Sequence, residues 1–177
     1  RLCYSGEVLR VTPGDLNPER ELVQVGAELV GTDTVDADAE VILLAADGLR
    51  KVGVERMSVD ITAPRLVPEL LPALGIDGAA SPDLRMAIDR KDLATVKRLA
   101  GDAADMLTQL MAAAGGRTEG LERLAKLTLP AAVRPIVARL EAVTALVAAE
   151  EPTLEVTIDP VENRGFEYYI GIGFSLF

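Results

Sequence analysis

Residues 1–31, RLCYSGEVLRVTPGDLNPERELVQVGAELVG, decide the fold. Their two ends, residues 1–12 and 20–31, are rich in β-branched and other apolar residues, and prolines and a glycine separate them. This pattern predicts two antiparallel strands joined by a long loop. Because side chains alternate along a strand, Gln24 and Glu28 share one face with a glycine between them. That polar face is either a ligand-binding floor or an ordinary exposed sheet face, and the pattern fits both.

The rest of the chain carries helix and strand patterns in separate blocks. Apolar residues at three-to-four spacing predict a helix over residues 34–53, and residues 56–61 alternate as a strand. Strand patterns return at 153–158 and 165–177. Between these blocks only helical patterns occur, at about 64–74, 81–89, 91–100, 102–114, 118–127 and 131–149. This order predicts an α+β fold with an antiparallel sheet. Its core is expected to be one discontinuous domain, residues 1–62 and 152–177, with a helical insertion at 63–151.

Composition excludes several kinds of site and partner. The 177 residues contain no histidine and a single cysteine, Cys3, which excludes His-based acid–base chemistry, an internal disulfide and His- or Cys-cluster metal sites. We therefore expect no metal and no cofactor. The net charge of −10 disfavours nucleic acid, and no apolar run reaches the roughly 20 residues of a membrane span. Both ends, at Arg1 and Phe177, fall inside predicted strands, so we expect a fragment of a longer domain.

A second polar set begins the last predicted strand. Residues 164–169, RGFEYY, place an arginine before two adjacent tyrosines that point to opposite faces. Arg164 offers a fork for a carboxylate, and Tyr168 and Tyr169 offer aromatic hydroxyls. A packed tyrosine pair beside a surface arginine is the alternative interpretation. Arg10 lies at the end of the first strand, opposite the strand that carries Gln24, and taken alone it is an ordinary surface arginine.

Together RLCYSGEVLR, RELVQVGAELVG and RGFEYY resemble the catalytic core of class II histidyl-tRNA synthetases, and still more their paralogues, the regulatory subunits of ATP phosphoribosyltransferase. The resemblance implies a class II aminoacyl-tRNA synthetase-like antiparallel sheet with flanking helices and a helical insertion. It also implies a histidine pocket in which Glu28 recognises the imidazole beside Tyr169, and Gln24 contacts the backbone groups. The full set carried over by this resemblance is Arg10, Gln24, Glu28, Arg164, Tyr168 and Tyr169. Arg164 would lie near the substrate carboxylate with Tyr168 as its neighbour, and Arg10 would contact a carboxylate or α-phosphate.

The ATP-binding half departs from the synthetase pattern. Thr12, Pro18 and Leu22 align with the family's adenine-reading glutamate, γ-phosphate arginine and adenine-stacking aromatic. A protein with these substitutions lacks groups that stabilise the transition state of ATP-dependent activation. The pattern therefore favours a protein that binds, or once bound, histidine without activating it.

The resemblance thus implies a non-catalytic regulatory subunit, with no catalytic residue of its own, of the glycosyltransferase ATP phosphoribosyltransferase. That enzyme performs the first step of histidine biosynthesis in the cytoplasm. The expected partners are its catalytic subunit, a second copy in a homodimer, and histidine as an allosteric feedback effector, with neither nucleic acid nor membrane. Two alternatives stay open: a histidyl-tRNA synthetase that activates histidine with ATP, and an amino-acid-binding paralogue without a phosphoribosyltransferase partner.

Overall fold

A computed structural model describes residues 1–11, 19–76, 80–162 and 171–177. The strands are β1 (Leu2–Leu9), β2 (Glu21–Glu28), β3 (Ser58–Thr62), β4 (Gly115–Gly116), β5 (Glu155–Asp159) and β6 (Gly173–Leu176). The helices are α1 (Val35–Lys51), α2 (Leu66–Ala73), α3 (Ala80–Asp89), α4 (Leu93–Leu99), α5 (Ala104–Met111), α6 (Arg117–Ala125) and α7 (Arg134–Glu150). Short 3₁₀ turns precede α5 and α7, at Gly101–Ala103 and Ala131–Val133. The predicted α+β class is confirmed.

Strands β1 and β2 form the predicted antiparallel hairpin. Leu2 lies opposite Glu28 at the open end, and Leu9 lies opposite Glu21 near the loop. One further hydrogen bond continues the ladder, since the Arg10 N–H donates to the Arg20 carbonyl at 2.7 Å. Most side chains of this hairpin are exposed on both faces.

The other described strands form a mixed sheet in the order β4-β5-β3-β6. Strand β3 is antiparallel to β6 but parallel to β5, with Val59 beside Val156. The antiparallel prediction is therefore wrong for this one pair. The cause is the long helical connection from Thr62 to Glu155, which returns the chain to the end where β3 began. A local strand pattern carries no information about that crossover.

This mixed sheet has one apolar and one polar face. Val59, Ile61 and Ile158 are 0 % exposed on the apolar face, where α6 and α7 pack against the strands. Their alternation with polar residues matches the predicted strand pattern, because side chains along a strand point alternately to the two faces. The opposite face carries Asp60 on β3 and Asp159 on β5, so carboxylates line the side of the sheet away from those helices.

Helices α1 and α7 run parallel to each other. Arg139 Nε donates to Asp38 Oδ2 at 2.7 Å near their N-terminal ends, and Arg50 donates to Glu151 at 2.8 Å near their C-terminal ends. Each pair joins residues 101 positions apart. The two 17-residue helices therefore keep one relative register from end to end. The hydrogen bond from Arg139 to Asp38 is the main cause of the raised pKa of that guanidinium.

The hydrophobic core draws on both predicted parts of the chain. It contains Ile42 from α1, Ile61 from β3, Leu107 from α5 and Leu140 from α7. The division into a sheet core and a helical insertion stays a prediction.

Candidate functional site

The hairpin register collects the predicted binding residues of this segment on one face. Directly opposed residues of an antiparallel pair share a face. Tyr4 lies opposite Gly26, Leu2 lies opposite Glu28, and Gln24 is two positions from Gly26 along β2. Arg10 continues the same face beyond the end of β1. We call the face formed by Tyr4, Arg10, Gln24, Gly26 and Glu28 the polar hairpin face.

Tyr4 occupies the space above Gly26. A Cβ atom at position 26 would overlap the Tyr4 ring, so only glycine leaves room for this packing. The glycine that the sequence offers as a bare ligand floor is thus covered by an aromatic ring. Sequence reasoning missed Tyr4 as a site residue, although an aromatic residue opposite a strand glycine is a known stabilising pair.

Tyr4 also fixes the amide of Gln24. Gln24 Nε2 donates to the Tyr4 hydroxyl oxygen at 2.9 Å, although both side chains are exposed. A glutamine amide has two N–H donors and one carbonyl acceptor, so this contact uses a single donor. Among the described residues, the carbonyl oxygen of Gln24 has no hydrogen-bond donor, so it can still accept from a ligand. The resemblance assigns Gln24 a contact with the backbone groups of the amino acid.

Glu28 lies where the open end of the hairpin meets α1. It lines a small cleft together with Arg1, Glu40 and Leu44. Arg1 forms its ion pair with Glu40, Nε to Oε1 at 2.7 Å, and this hydrogen bond lowers the pKa of Glu40. Within the described part of the chain, the Glu28 carboxylate makes no ion pair or hydrogen bond. It therefore keeps its acceptor capacity for a ligand such as an imidazole N–H.

The polar hairpin face is long. Arg20, the ladder partner of Arg10, precedes Gln24 by four residues, and Glu28 follows Gln24 by four. A strand rise of about 3.3 Å per residue therefore separates neighbouring members of this series by about 13 Å. This spacing suits Gln24 and Glu28 to the two ends of one amino acid. It leaves Arg10 for a carboxylate or phosphate further along the face.

The other carried-over residues belong to two segments of the chain beyond the polar hairpin face. Arg164, Tyr168 and Tyr169 lie outside the described residues, as do Thr12 and Pro18 from the ATP half. Leu22, at the position of the adenine-stacking aromatic, is described. It lies half-buried on β2 opposite Val8, on the same face as Gln24.

A second set of acidic residues lies on the mixed sheet, and its carboxylates have hydrogen-bond or ion-pair partners within the chain. Thr157 donates its hydroxyl to Asp60 at 2.6 Å, and Lys91 forms an ion pair with Asp159. Asp159 also accepts the N–H of Val161 at 3.2 Å. Burial raises the pKa of Asp60 despite its hydrogen bond from Thr157. These contacts give both carboxylates a structural role.

The described residues offer neither a cluster of metal ligands nor a membrane-spanning helix. In residues 1–11, 19–76, 80–162 and 171–177, no three His, Cys, Asp or Glu side chains are grouped to hold a metal ion. None of the helices in those ranges is long and apolar enough to cross a membrane.

A comparison with protein families identifies the family of this chain. Residues 1–177 match the family model described as histidyl-tRNA synthetase. The chain belongs to the histidyl-tRNA synthetase family. Within that family, the predicted relationship to regulatory subunits is confirmed by curated relatives. Proteins from Paramagnetospirillum magneticum and Rhodospirillum centenum, both named ATP phosphoribosyltransferase regulatory subunit, are 47% and 45% identical over the whole chain. The chain covers 47% and 46% of those two proteins, or about half of their length.

Solved structures agree on the synthetase-family fold. A Bacillus halodurans structure described as an ATP phosphoribosyltransferase regulatory subunit/histidyl-tRNA synthetase superposes with a TM-score of 0.84 at 24% identity. It is matched over 99% of this chain and 47% of its own. The ATP phosphoribosyl transferase (HisG:HisZ) complex from Thermotoga maritima gives a TM-score of 0.75 at 21% identity, over 99% of this chain and 62% of that chain. At these identities, the likeness establishes the fold alone.

Proposed function

We propose that the protein containing this chain is a non-catalytic regulatory subunit of ATP phosphoribosyltransferase. In this role it assembles with the catalytic subunit, forms a homodimer, acts in the cytoplasm and needs no cofactor. Histidine binds it and inhibits the first step of histidine biosynthesis by favouring one state of the assembly, which requires different affinities for the two states. The observation that carries the proposal is the shared name of four curated relatives, 40% to 47% identical along the full chain.

The polar hairpin face supports the histidine part of this proposal. Among the described residues, the Gln24 carbonyl oxygen has no hydrogen-bond donor and the Glu28 carboxylate has no partner. Leu22 supplies an aliphatic side chain where a synthetase is expected to stack an aromatic ring on adenine. The face thus keeps groups for an amino acid and lacks one for the nucleotide. With Arg164, Tyr168 and Tyr169, these residues complete the proposed pocket.

The activity of the assembly tests the function. Purified catalytic subunit from the same organism is assayed for phosphoribosyl transfer with and without the full-length protein, and histidine is titrated into both reactions. We expect the full-length protein to raise the rate and to make it sensitive to histidine. An unchanged rate and an unchanged histidine response would reject the regulatory role.

Calorimetry with histidine tests the pocket itself. Glu28→Ala in the full-length protein should weaken histidine binding at least tenfold, because an imidazole N–H loses a charged acceptor. Glu21→Ala is the matched control, since Glu21 is also exposed on β2 but lies on the opposite face. Equal affinities in the two variants would refute the role of Glu28.

The family model favours one competing activity, histidine activation with ATP. Histidine-dependent exchange of pyrophosphate into ATP by the full-length protein would support the synthetase and reject the non-catalytic proposal. The paralogue without a phosphoribosyltransferase partner is distinguished by mixing experiments, in which it would bind histidine but leave the catalytic subunit unaffected.

A further inference from the structure

A groove with an apolar floor runs between the parallel helices α1 and α7. Its floor is formed mainly by Leu43 and Leu44 of α1 and by Leu146 of α7. Leu44 is 51% exposed, whereas Leu43 and Leu146 are half-buried against the core. The two helices are held in step by ion pairs at both ends, so this groove is a fixed feature of the fold. We call it the acidic groove, because carboxylates surround its floor.

The charges around the acidic groove are unbalanced. Its carboxylates belong to Asp36, Glu40, Asp47 and Glu150. Glu40 is paired with Arg1 and Asp47 with Lys51, the latter at 2.8 Å. Among the described residues, Asp36 and Glu150 form no ion pair. The groove therefore combines apolar area with an excess of negative charge on its rim.

The dimensions of the acidic groove fit one more helix. The stretch of α1 from Asp36 to Asp47 rises about 16 Å at 1.5 Å per residue, which is about three helical turns. A third helix can lay an apolar stripe into the groove between two parallel helices, as in other helix-in-groove complexes. Charge complementarity requires Lys or Arg on both flanks of that stripe.

A second copy of this chain is a poor occupant of the acidic groove. A symmetric contact through this surface would bring the carboxylates of Asp36 and Glu150 toward the same carboxylates of the other copy. Like charges across an interface disfavour association. The charge balance thus points to a partner of different, basic chemistry.

We propose that the acidic groove docks a basic amphipathic helix of the ATP phosphoribosyltransferase catalytic subunit. This inference rests on the proposed function, because it assigns the surface through which that partner is held. The apolar stripe of the helix covers Leu43, Leu44 and Leu146, and its basic side chains pair with Asp36 and Glu150 on the rim.

Charge reversal of the rim tests this docking surface. The dissociation constant between the full-length protein and the catalytic subunit is measured by interferometry at several salt concentrations. The double variant Asp36→Lys/Glu150→Lys should bind at least tenfold more weakly at low salt and with a shallower salt dependence. The matched control is Asp102→Lys/Asp105→Lys, which changes the net charge equally at exposed carboxylates near the start of α5. It should change the dissociation constant less than twofold.

A third variant, Leu44→Gln, tests the apolar floor without changing the charge. It should weaken binding severalfold and leave the salt dependence as in the wild type. Circular dichroism of each variant establishes that it is folded. Equal weakening by the two charge-reversal pairs, or none by the rim pair, would overturn the docking proposal while leaving the regulatory function standing. Absence of any wild-type complex would overturn both proposals.

Discussion

Gly120 provides a sharp test of the packing between α6 and the mixed sheet. It lies buried within α6, and a Cβ atom added there would sit 2.6 Å from the Ala113 carbonyl oxygen. The same Cβ would lie 2.7 Å from both Cδ1 and Cγ1 of Ile158, which is 0 % exposed on β5. The Ala113 atom belongs to the backbone and the Ile158 side chain to the core, so neither can move away freely.

The magnitude follows from two opposing effects. Replacing glycine by alanine inside a helix normally stabilises it by about 0.5–1 kcal/mol. Overpacking of a well-packed core typically costs about 1–3 kcal/mol. Gly120→Ala should therefore lower the free energy of unfolding by about 1–2 kcal/mol. Gly48→Ala is the control, because Gly48 is an exposed position of α1 where an added Cβ would have open space, with no atom beyond its own stretch of helix within 4 Å. The free energy of unfolding of Gly48→Ala should exceed that of the wild type by about 0.5–1 kcal/mol.

Urea unfolding of the full-length protein, followed by circular dichroism, measures both changes. The midpoint should move to lower urea for Gly120→Ala and to higher urea for Gly48→Ala, with the same slope. If glycine-to-alanine substitution lowers the stability at position 120 but raises it at position 48, close packing at position 120 outweighs helix propensity. A Gly120→Ala protein as stable as the wild type, or more stable, would refute the close approach of α6 to Ile158.

Three further predictions concern single side chains. Thr34 caps α1 by accepting a backbone N–H, so Thr34→Ala should cost about 1 kcal/mol in urea unfolding, and Thr34→Ser should restore most of it. Burial raises the pKa of Asp60 in the folded protein, so its ionisation destabilises the fold as pH rises above the ordinary value of 3.8. Asp60→Asn keeps an acceptor for Thr157, and its free energy of unfolding relative to the wild type should increase as the pH rises above about 4. A difference independent of pH would contradict this. Tyr4→Phe removes the acceptor that orients Gln24 and should weaken histidine binding by about fivefold, or about 1 kcal/mol, in calorimetry. Unchanged affinity would show that this hydrogen bond does not shape the pocket.

Short-range patterns predicted the elements that build the fold. Alternation of apolar residues identified β3 and β5, and Val59, Ile61 and Ile158 are indeed fully buried. Helical spacing identified α7, where Leu140 and Val143 are also 0 % exposed. These predictions succeeded because each element buries one face, and the period of that face is written in neighbouring residues.

Short-range patterns did not predict the order of the strands or the two-residue strand β4. The parallel contact of β3 with β5 depends on where a long helical connection returns, which no local pattern encodes. The ion pair between Lys91 and Asp159 likewise joins residues 68 positions apart. At the hairpin, the sequence placed Gln24 and Glu28 on one face correctly. The ring of Tyr4 above Gly26 required the exact register of the two strands.

The acidic residues illustrate what separates a structural carboxylate from one available to a ligand. The sequence contains 28 Asp and Glu residues, and by composition each is equally an exposed, solvated charge. Contacts divide them: Asp60 receives the Thr157 hydroxyl, and Asp159 receives Lys91, so these charges are satisfied within the chain. Glu28 has no such partner among the described residues, although it lies in a cleft. A satisfied carboxylate must break a contact before it can bind anything, whereas an unsatisfied one loses only water. For this reason the proposed histidine contact and the proposed docking surface both rest on carboxylates that form no ion pair with the residues the structure describes.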